Sequence, residues 1–135
     1  MDTGSVAIAD LLGAPVVRVA PGASVRDVAC VLTRDDIGAV VVGEGTTVEG
    51  IISERDVTRS VAAGDDVDKL CAGDIAHTSL IWCDVTATVA EVAAEMMERW
   101  VRHVLVEDGG TLAGIVSARD LLGVYASAAD LFDCE

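Results

Sequence analysis

The chain has 135 residues, of which 52% are hydrophobic and 3% aromatic, and its formal net charge is −14. This length fits one compact domain or two half-domains with a shared core, and the apolar runs are too short to cross a membrane. The acidic charge argues against membrane surfaces and nucleic acid as partners. The N-terminus carries no basic region followed by a long apolar stretch, so we expect a soluble, cytoplasmic protein.

The cysteines give no sign of a disulfide scaffold or a metal site. Cys30, Cys71, Cys83 and Cys134 are far apart and form no Cys-x-x-Cys pair. Cys71, His77 and Cys83 come nearest to a metal constellation, but their spacing matches no common zinc site. We therefore expect free thiols and no bound metal.

The first half of the chain predicts a short helix, a strand and an amphipathic helix. Ala7–Leu12 is the short helix, ended by Gly13, and Val16–Val19 is the strand. Ser24 is placed to cap a longer helix whose apolar stripe ends near Asp36.

A strand–turn–strand and another helix follow. Ala39–Val42 and Thr47–Ile52 read as strands around a glycine turn. Ser53 starts a helix with Val57 and Val61 one turn apart, which ends at Gly64. A polar connector at 65–69 comes next.

The chain then repeats itself. Gly50–Asp56 reads Gly-Ile-Ile-Ser-Glu-Arg-Asp and Gly114–Asp120 reads Gly-Ile-Val-Ser-Ala-Arg-Asp, 64 positions later. Several other segments keep this offset: Asp10 with Asp74, Val16-Val17 with Leu80-Ile81, Ala23-Ser24-Val25 with Ala87-Thr88-Val89, Val28-Ala29 with Val92-Ala93, and Val40-Val41-Val42 with Val104-Leu105-Val106. A register held through strands and helices indicates duplication.

Each repeat is predicted as β-α-β-β-α with a short helix in front. The predicted boundaries are 7–64 for the first repeat, 65–69 for a linker, 70–128 for the second repeat and 129–135 for a C-terminal tail. A unit of about sixty residues has a marginal core alone. We therefore expect an α/β fold of the α+β type, with two pseudo-symmetric repeats packed sheet to sheet.

This pattern resembles the CBS domain family, named after cystathionine β-synthase, and specifically the tandem pair called a Bateman module. The resemblance covers roughly residues 7–126. It depends on the ordered elements apolar strand, Pro-x-x-[Ser/Thr]-Val, amphipathic helix, Val-x-x-x-Val-Val and Gly-Ile-Ile/Val-Ser-x-x-Asp. The resemblance implies a homodimer and adenosine ligands held in clefts between the repeats.

Two interpretations of Ser-x-Arg-Asp stay open. Ser53 with Asp56, and Ser117 with Asp120, fit a helix capping box. The same geometry suits a nucleotide, because a helix N-terminus attracts phosphate and a carboxylate can accept two ribose hydroxyls. Arg55 and Arg119 add positive charge. The resemblance implies that these serine and aspartate positions bind phosphate and ribose.

Arg102 and His103 make the repeats unequal, because the first repeat has Gly38-Ala39 there. The resemblance implies that basic residues at these positions reach ligand phosphates. The alternative is an exposed arginine and a partly buried histidine. Neighbouring strand residues face opposite sides, so both reach one cleft only at the strand's entry.

An adenine ring needs an apolar slot with backbone groups at its edge. The candidates are Val17, Ile37 and Gly38 in the first repeat and Ile81 and Val101 in the second. The valine and isoleucine side chains fill the core equally well. Trp82 and Trp100 are candidates for base stacking, packing or a subunit interface.

The favoured function is a non-enzymatic sensor, since no nucleophile–base pair, metal triad or glycine-rich phosphate loop is present. It would bind AMP, ADP, ATP or S-adenosylmethionine, require no cofactor and signal to an unidentified protein partner. The alternative is a ligand-independent dimerisation or protein-interaction module in which Ser-x-Arg-Asp only caps helices.

Overall fold

A computed structural model describes the backbone of residues 3–13 and 15–133 and the side chains of those residues up to 127. These residues form two compact units. One unit is Val16–Leu80, and the other combines the start of the chain, up to Pro15, with the residues from Ile81 onward. We call them the first-repeat unit and the second-repeat unit.

The first-repeat unit contains three strands and three helices. Strand β1 is Arg18–Val19, α1 is Val25–Asp35, β2 is Ala39–Val42, β3 is Gly50–Ser53, α2 is Glu54–Ala62 and α3 is Ala72–Ile75. Strand β1 is parallel to β2, with Arg18 opposite Val41, and β2 is antiparallel to β3, with Ala39 opposite Ser53.

The second-repeat unit has the same order. Strand β4 is Trp82–Asp84, α4 is Val89–Arg99, β5 is His103–Asp108, β6 is Thr111–Ser117 and α5 is Ala118–Asp133. Short 3₁₀ turns at Thr3–Ser5 and Ile8–Leu11 precede them. Trp82 lies opposite Leu105 and His103 opposite Ser117, so the strand register is that of the first repeat shifted by 64 residues. This confirms the α/β fold class with two related sheets.

Each core is built from small branched side chains, as the composition predicts. In the first-repeat unit Val28, Leu32, Val40, Val42 and Ile52 are buried together between helix and sheet. In the second, Ile8 joins a cluster of residues from α4, α5 and the sheet: Val89, Val92, Met96, Val104, Val106, Val116 and Leu121.

The segments in front of the repeats are exchanged. The Ile8 N–H donates to Ala87 O at 2.8 Å, and the Ala72 N–H donates to Ala23 O at 2.7 Å. Ile8 and Ala72 are equivalent positions of the duplication, and each lies in the core built by the other repeat. The predicted boundaries therefore describe the sequence duplication, whereas the compact units take their leading segments crosswise.

Two local predictions are corrected. Strand β3 begins at Gly50 rather than Thr47, because the Thr47 N–H closes a turn onto Glu44 O at 3.0 Å. Helix α2 buries Asp56 and Ser60, while Val61 is 62% exposed instead of facing the core. As a separate observation, helix α5 continues to Asp133, so its last residues overlap the predicted tail at 129–135.

Candidate functional site

Ser53 and Asp56 form a capping box at the junction of β3 and α2. The Ser53 N–H donates to Asp56 Oδ2 at 2.8 Å, and the Asp56 N–H donates to Ser53 Oγ at 3.3 Å. The Ser53 hydroxyl also lies 3.0 Å from the same carboxylate oxygen. The capping interpretation of this motif is therefore confirmed, and it is compatible with a second role.

Ser117 and Asp120 repeat this geometry where β6 meets α5. The Ser117 N–H donates to Asp120 Oδ2 at 2.8 Å, and the Asp120 N–H donates to Ser117 Oγ at 3.0 Å. The backbone behind the serine is also repeated, since Ala118 N–H donates to Arg102 O and Glu54 N–H donates to Gly38 O. The two junctions are thus the same at the level of the backbone.

Their surroundings differ. Asp56 is only 6% exposed, and its Oδ1 accepts a hydrogen bond from His77 Nε2 at 2.6 Å. Arg59 Nη1 lies 3.7 Å from the same oxygen. Asp120 is exposed, and the described side chains include no comparable histidine contact to it. The two aspartates are therefore chemically distinct.

No sequence pattern indicates a role for His77, apart from its spacing to Cys71 and Cys83, which matches no common zinc site. His77 lies 21 positions after Asp56, outside the motif, and a backbone bridge between Ile51 and His77 brings it to β3. The position that corresponds to it under the repeat is Gly13. Only the exchange of leading segments makes His77 a neighbour of Asp56.

His103 and Arg102 enter the second junction from the neighbouring strand. His103 is the first residue of β5 and lies directly opposite Ser117, so their side chains emerge on the same face of the sheet. Ala39 holds this place opposite Ser53. Arg102 immediately precedes the strand and is exposed. The inequality expected from sequence is thus present beside the serine.

The remaining arginines lie in the first turn of each helix. Arg55 is the second residue of α2 and Arg119 the second residue of α5, and both are exposed. A cation in the first turn is not favoured by the helix dipole, which attracts negative charge there. Both guanidinium groups are accessible to an anion at the junction.

The proposed adenine-slot residues are half-buried. Val17 and Ile37 pack against the core of the first-repeat unit, and Ile81 and Val101 against that of the second. Several of their backbone groups are already bonded. Val41 N–H donates to Val17 O, Leu105 N–H donates to Ile81 O, and the amides of Ile37 and Val101 close the ends of α1 and α4. Their role toward a base stays a prediction.

A sequence model of the family described as CBS domain matches residues 8–63 and again residues 72–127. The chain belongs to the CBS domain family.

Relatives of this CBS pair include hypoxic response protein 1 of Mycobacterium tuberculosis. It is 31% identical over 114 residues, which is 83% of this chain and 80% of that protein. A solved CBS domain protein from Pyrobaculum aerophilum, complexed with AMP, is 30% identical, with a TM-score of 0.78, and the match covers 90% of this chain and 99% of the other.

A crystal structure of hypoxic response protein I holds two coordinated zinc ions. It is 29% identical to this chain, with a TM-score of 0.71, and the match covers 87% of this chain and 97% of that one. Among the described residues of the present CBS pair, no three His, Cys, Asp or Glu side chains are grouped to hold a metal ion. Cys71 and His77 belong to one unit and Cys83 to the other.

Among the described residues, no helix is long and apolar enough to span a membrane.

Proposed function

We propose that this CBS pair is a non-enzymatic regulatory module that binds an adenosine-type ligand and whose ligand-bound form is read by a partner protein. The observation that carries the proposal is the Ser-x-Arg-Asp junction, which places a serine, an aspartate and the free end of a helix at one point. The AMP complex of the Pyrobaculum aerophilum relative supports the choice of ligand class.

The second junction is suited to phosphate. Helix α5 starts directly after Ser117, and its N-terminus carries partial positive charge, although the Ala118 and Asp120 N–H groups already donate to Arg102 O and Ser117 Oγ. Arg119, Arg102 and His103 are grouped around that helix start in a chain whose net charge is −14. Local cationic groups that donate hydrogen bonds to phosphate oxygens offset the repulsion from the acidic surface.

The same junction is suited to ribose. Asp120 uses Oδ2 to accept from the Ser117 N–H, and the residue is exposed. A carboxylate has about four lone-pair positions, so the capping bond leaves capacity for a pair of neighbouring hydroxyls. Asp120 is therefore the group that we assign to the ribose diol.

Isothermal titration calorimetry with AMP, ADP, ATP and S-adenosylmethionine tests this function. We expect at least one of them to bind, and Ser117→Ala and Asp120→Ala each to weaken binding roughly 10- to 100-fold, because each removes a hydrogen bond to a charged or polar ligand group. The matched control is Ser24→Ala. Ser24 caps α1 with the same box geometry but has no assigned ligand role.

The control separates capping from binding. Each of the three substitutions removes part of a helix cap, at a cost of about 0.5–2 kcal/mol of stability, so each should lower the melting temperature. Only those at Ser117 and Asp120 should lower affinity. Absence of heat and of thermal shift with all four compounds would leave the ligand-independent interaction module as the better description.

We also propose that two copies associate through α4 and α5. Met97 and Trp100 are 79% and 93% exposed, and Leu122 and Tyr125 are exposed on the neighbouring helix. The equivalent positions in the first repeat are Thr33, Asp36, Thr58 and Val61. One patch on each copy gives a self-complementary, closed twofold contact, which favours a second copy of this chain as the occupant.

Trp100→Asp tests the association by light scattering after gel filtration. Trp100 caps the end of α4 with a left-handed φ of 56°, and Asp36, at the equivalent position of the first repeat, has a φ of 51°. Aspartate is therefore compatible with the backbone conformation at position 100. We expect the variant to be monomeric and folded. Trp82→Arg, which likewise installs the first-repeat residue at an exposed tryptophan, is the control and should leave the dimer intact. A dimeric Trp100→Asp variant would contradict the proposal.

A further inference from the structure

The carboxylate of Asp56 is fully engaged within its own unit. Oδ2 accepts from the Ser53 N–H at 2.8 Å and lies 3.0 Å from Ser53 Oγ. Oδ1 accepts from His77 Nε2 at 2.6 Å, with Arg59 Nη1 at 3.7 Å. The residue is buried, at 6% exposure. Both oxygens therefore have partners, and little of the group is accessible to solvent.

The backbone holds His77 in this position. The Ile51 N–H donates to His77 O at 3.0 Å, and the His77 N–H donates to Ile51 O at 2.9 Å. Gly50 permits the close approach, since a Cβ there would lie 2.7 Å from the His77 carbonyl oxygen. The imidazole is thus presented to Asp56 from a segment fixed against β3, although 55% of its side chain is exposed.

The leading segment offers the second repeat no equivalent histidine among the described residues. The position that corresponds to His77 is Gly13, which has no side chain to offer. Asp120 is exposed and makes the capping bond to Ser117. The two junctions thus share their backbone and capping geometry, but the leading segments supply a histidine to one and a glycine to the other.

We infer that His77 withholds Asp56 from ribose, so that the second repeat takes the ligand and each chain binds one adenosine-type molecule. A ribose diol at the first junction would have to replace a short hydrogen bond to a buried carboxylate, and a displaced donor or acceptor left unpaired is costly. The described contacts of Asp120 are the capping bonds to Ser117 and include no bond of this kind. This inference depends on the proposed function and adds to it which junction binds and what closes the other.

Calorimetry with AMP on the full-length protein tests the inference through stoichiometry. We expect one AMP per chain for the natural sequence and two for His77→Ala, in which the Asp56 carboxylate is released. His77→Gln is the matched control, because its side-chain amide N–H can still donate to Asp56, and it should keep one AMP per chain. Asp120→Ala should bind AMP at least tenfold more weakly than the natural protein, whereas His77→Ala combined with Asp120→Ala should bind one AMP through the released Asp56 carboxylate.

The outcomes separate this inference from the function on which it rests. Two AMP per chain in the natural protein, or one in a folded His77→Ala variant, overturns the closure by His77 and leaves the nucleotide function in place. No AMP bound by either protein overturns both. If His77→Ala does not fold, the stoichiometry of the natural protein and the affinity of Asp120→Ala still decide the point, because AMP binding of unchanged affinity in Asp120→Ala would show that the first junction is open.

Discussion

The capping geometry of a serine–acid pair at a helix start does not show whether the pair also binds a ligand. The residues around the pair have to decide this. The capping box occurs at α1, α2, α4 and α5, and a related one at α3, where the Cys71 N–H donates to Asp74 Oδ2. The box at α1 even reads Ser24-Val25-Arg26-Asp27, the same Ser-x-Arg-Asp sequence, and no ligand is assigned to it. The local pattern is therefore a general device for starting helices, and His77 and His103 distinguish the two candidate junctions.

Cys83 offers a prediction at the scale of one side chain. Burial raises the pKa of its thiol, and the charges of Asp84 and Glu107 raise it further. A raised pKa means a smaller thiolate fraction at pH 8, and the thiolate is the nucleophile. We expect Cys83 to be alkylated by iodoacetamide more slowly than the exposed Cys30, as measured by peptide mass spectrometry over time.

The dependence on pH supplies the check. Raising the pH toward 9.5 should accelerate labelling of Cys83 as its thiol ionises. Asp84→Asn removes one of the two nearby negative charges and should lower the pKa, so labelling at pH 8 should become faster. Equal rates for Cys83 and Cys30 at pH 8 would mean that the thiol is neither shielded nor electrostatically suppressed.

At the scale of elements, hydrophobic periodicity predicted the helices and strands in which the apolar residues are the buried ones. Helix α1 and strand β2 were predicted with nearly their observed ends, because Ser24 caps the one and four consecutive buried residues form the other. The inward face of helix α2 was predicted only in part. Val57 packs against the core as its apolar spacing suggests, but Val61 is exposed, and Asp56, which is bonded to His77, and Ser60 are buried. A polar contact from a distant segment is invisible to hydrophobic periodicity.

Gly50 and Gly114, at equivalent positions before the two serines, should differ in how much stability an alanine substitution costs. A Cβ at Gly50 would meet the backbone oxygen of His77 at 2.7 Å, whereas at Gly114 it would meet the end of the Leu12 side chain at 2.6 Å. Backbone cannot move aside as a side chain can. We expect Gly50→Ala to lower the free energy of unfolding by about 1–3 kcal/mol and Gly114→Ala by less, as measured by urea denaturation.

Gly123 is the control for that pair. It lies inside α5, and a Cβ there would meet nothing within 4 Å. Alanine is favoured over glycine in a helix by about 0.5–1 kcal/mol, so Gly123→Ala should raise stability. A Gly50→Ala variant as stable as the natural protein would contradict the close approach of His77 to β3, and with it the positioning of the imidazole.

At the scale of the molecule, the duplication was sufficient to predict the fold class and the repeated strand order. The crosswise use of the leading segments was not predictable in this way. Ile8 and Ala72 are equivalent apolar positions, and hydrophobic pattern alone predicts that each is buried without indicating in which of the two cores. The neighbour of Asp56 depends on that choice, which is why the closed junction could not be predicted even though its serine and aspartate were.

The exchange predicts where a core substitution near the start of the chain will be felt. Ile8 and Val19 belong to the same sequence repeat, yet Ile8 is buried in the core of the second-repeat unit and Val19 in that of the first. Ile8→Ala removes buried methyl groups at a cost of about 2–5 kcal/mol. Hydrogen exchange followed by mass spectrometry should therefore show faster exchange chiefly in residues 81–133, distant in sequence from the substitution. Val19→Ala, the matched control, should accelerate exchange chiefly in residues 16–80. If Ile8→Ala instead accelerates hydrogen exchange in residues 16–64, each leading segment stabilises its own repeat, and the crosswise arrangement is absent in solution. Faster hydrogen exchange in residues 81–133 supports the crosswise arrangement, which brings His77 to Asp56.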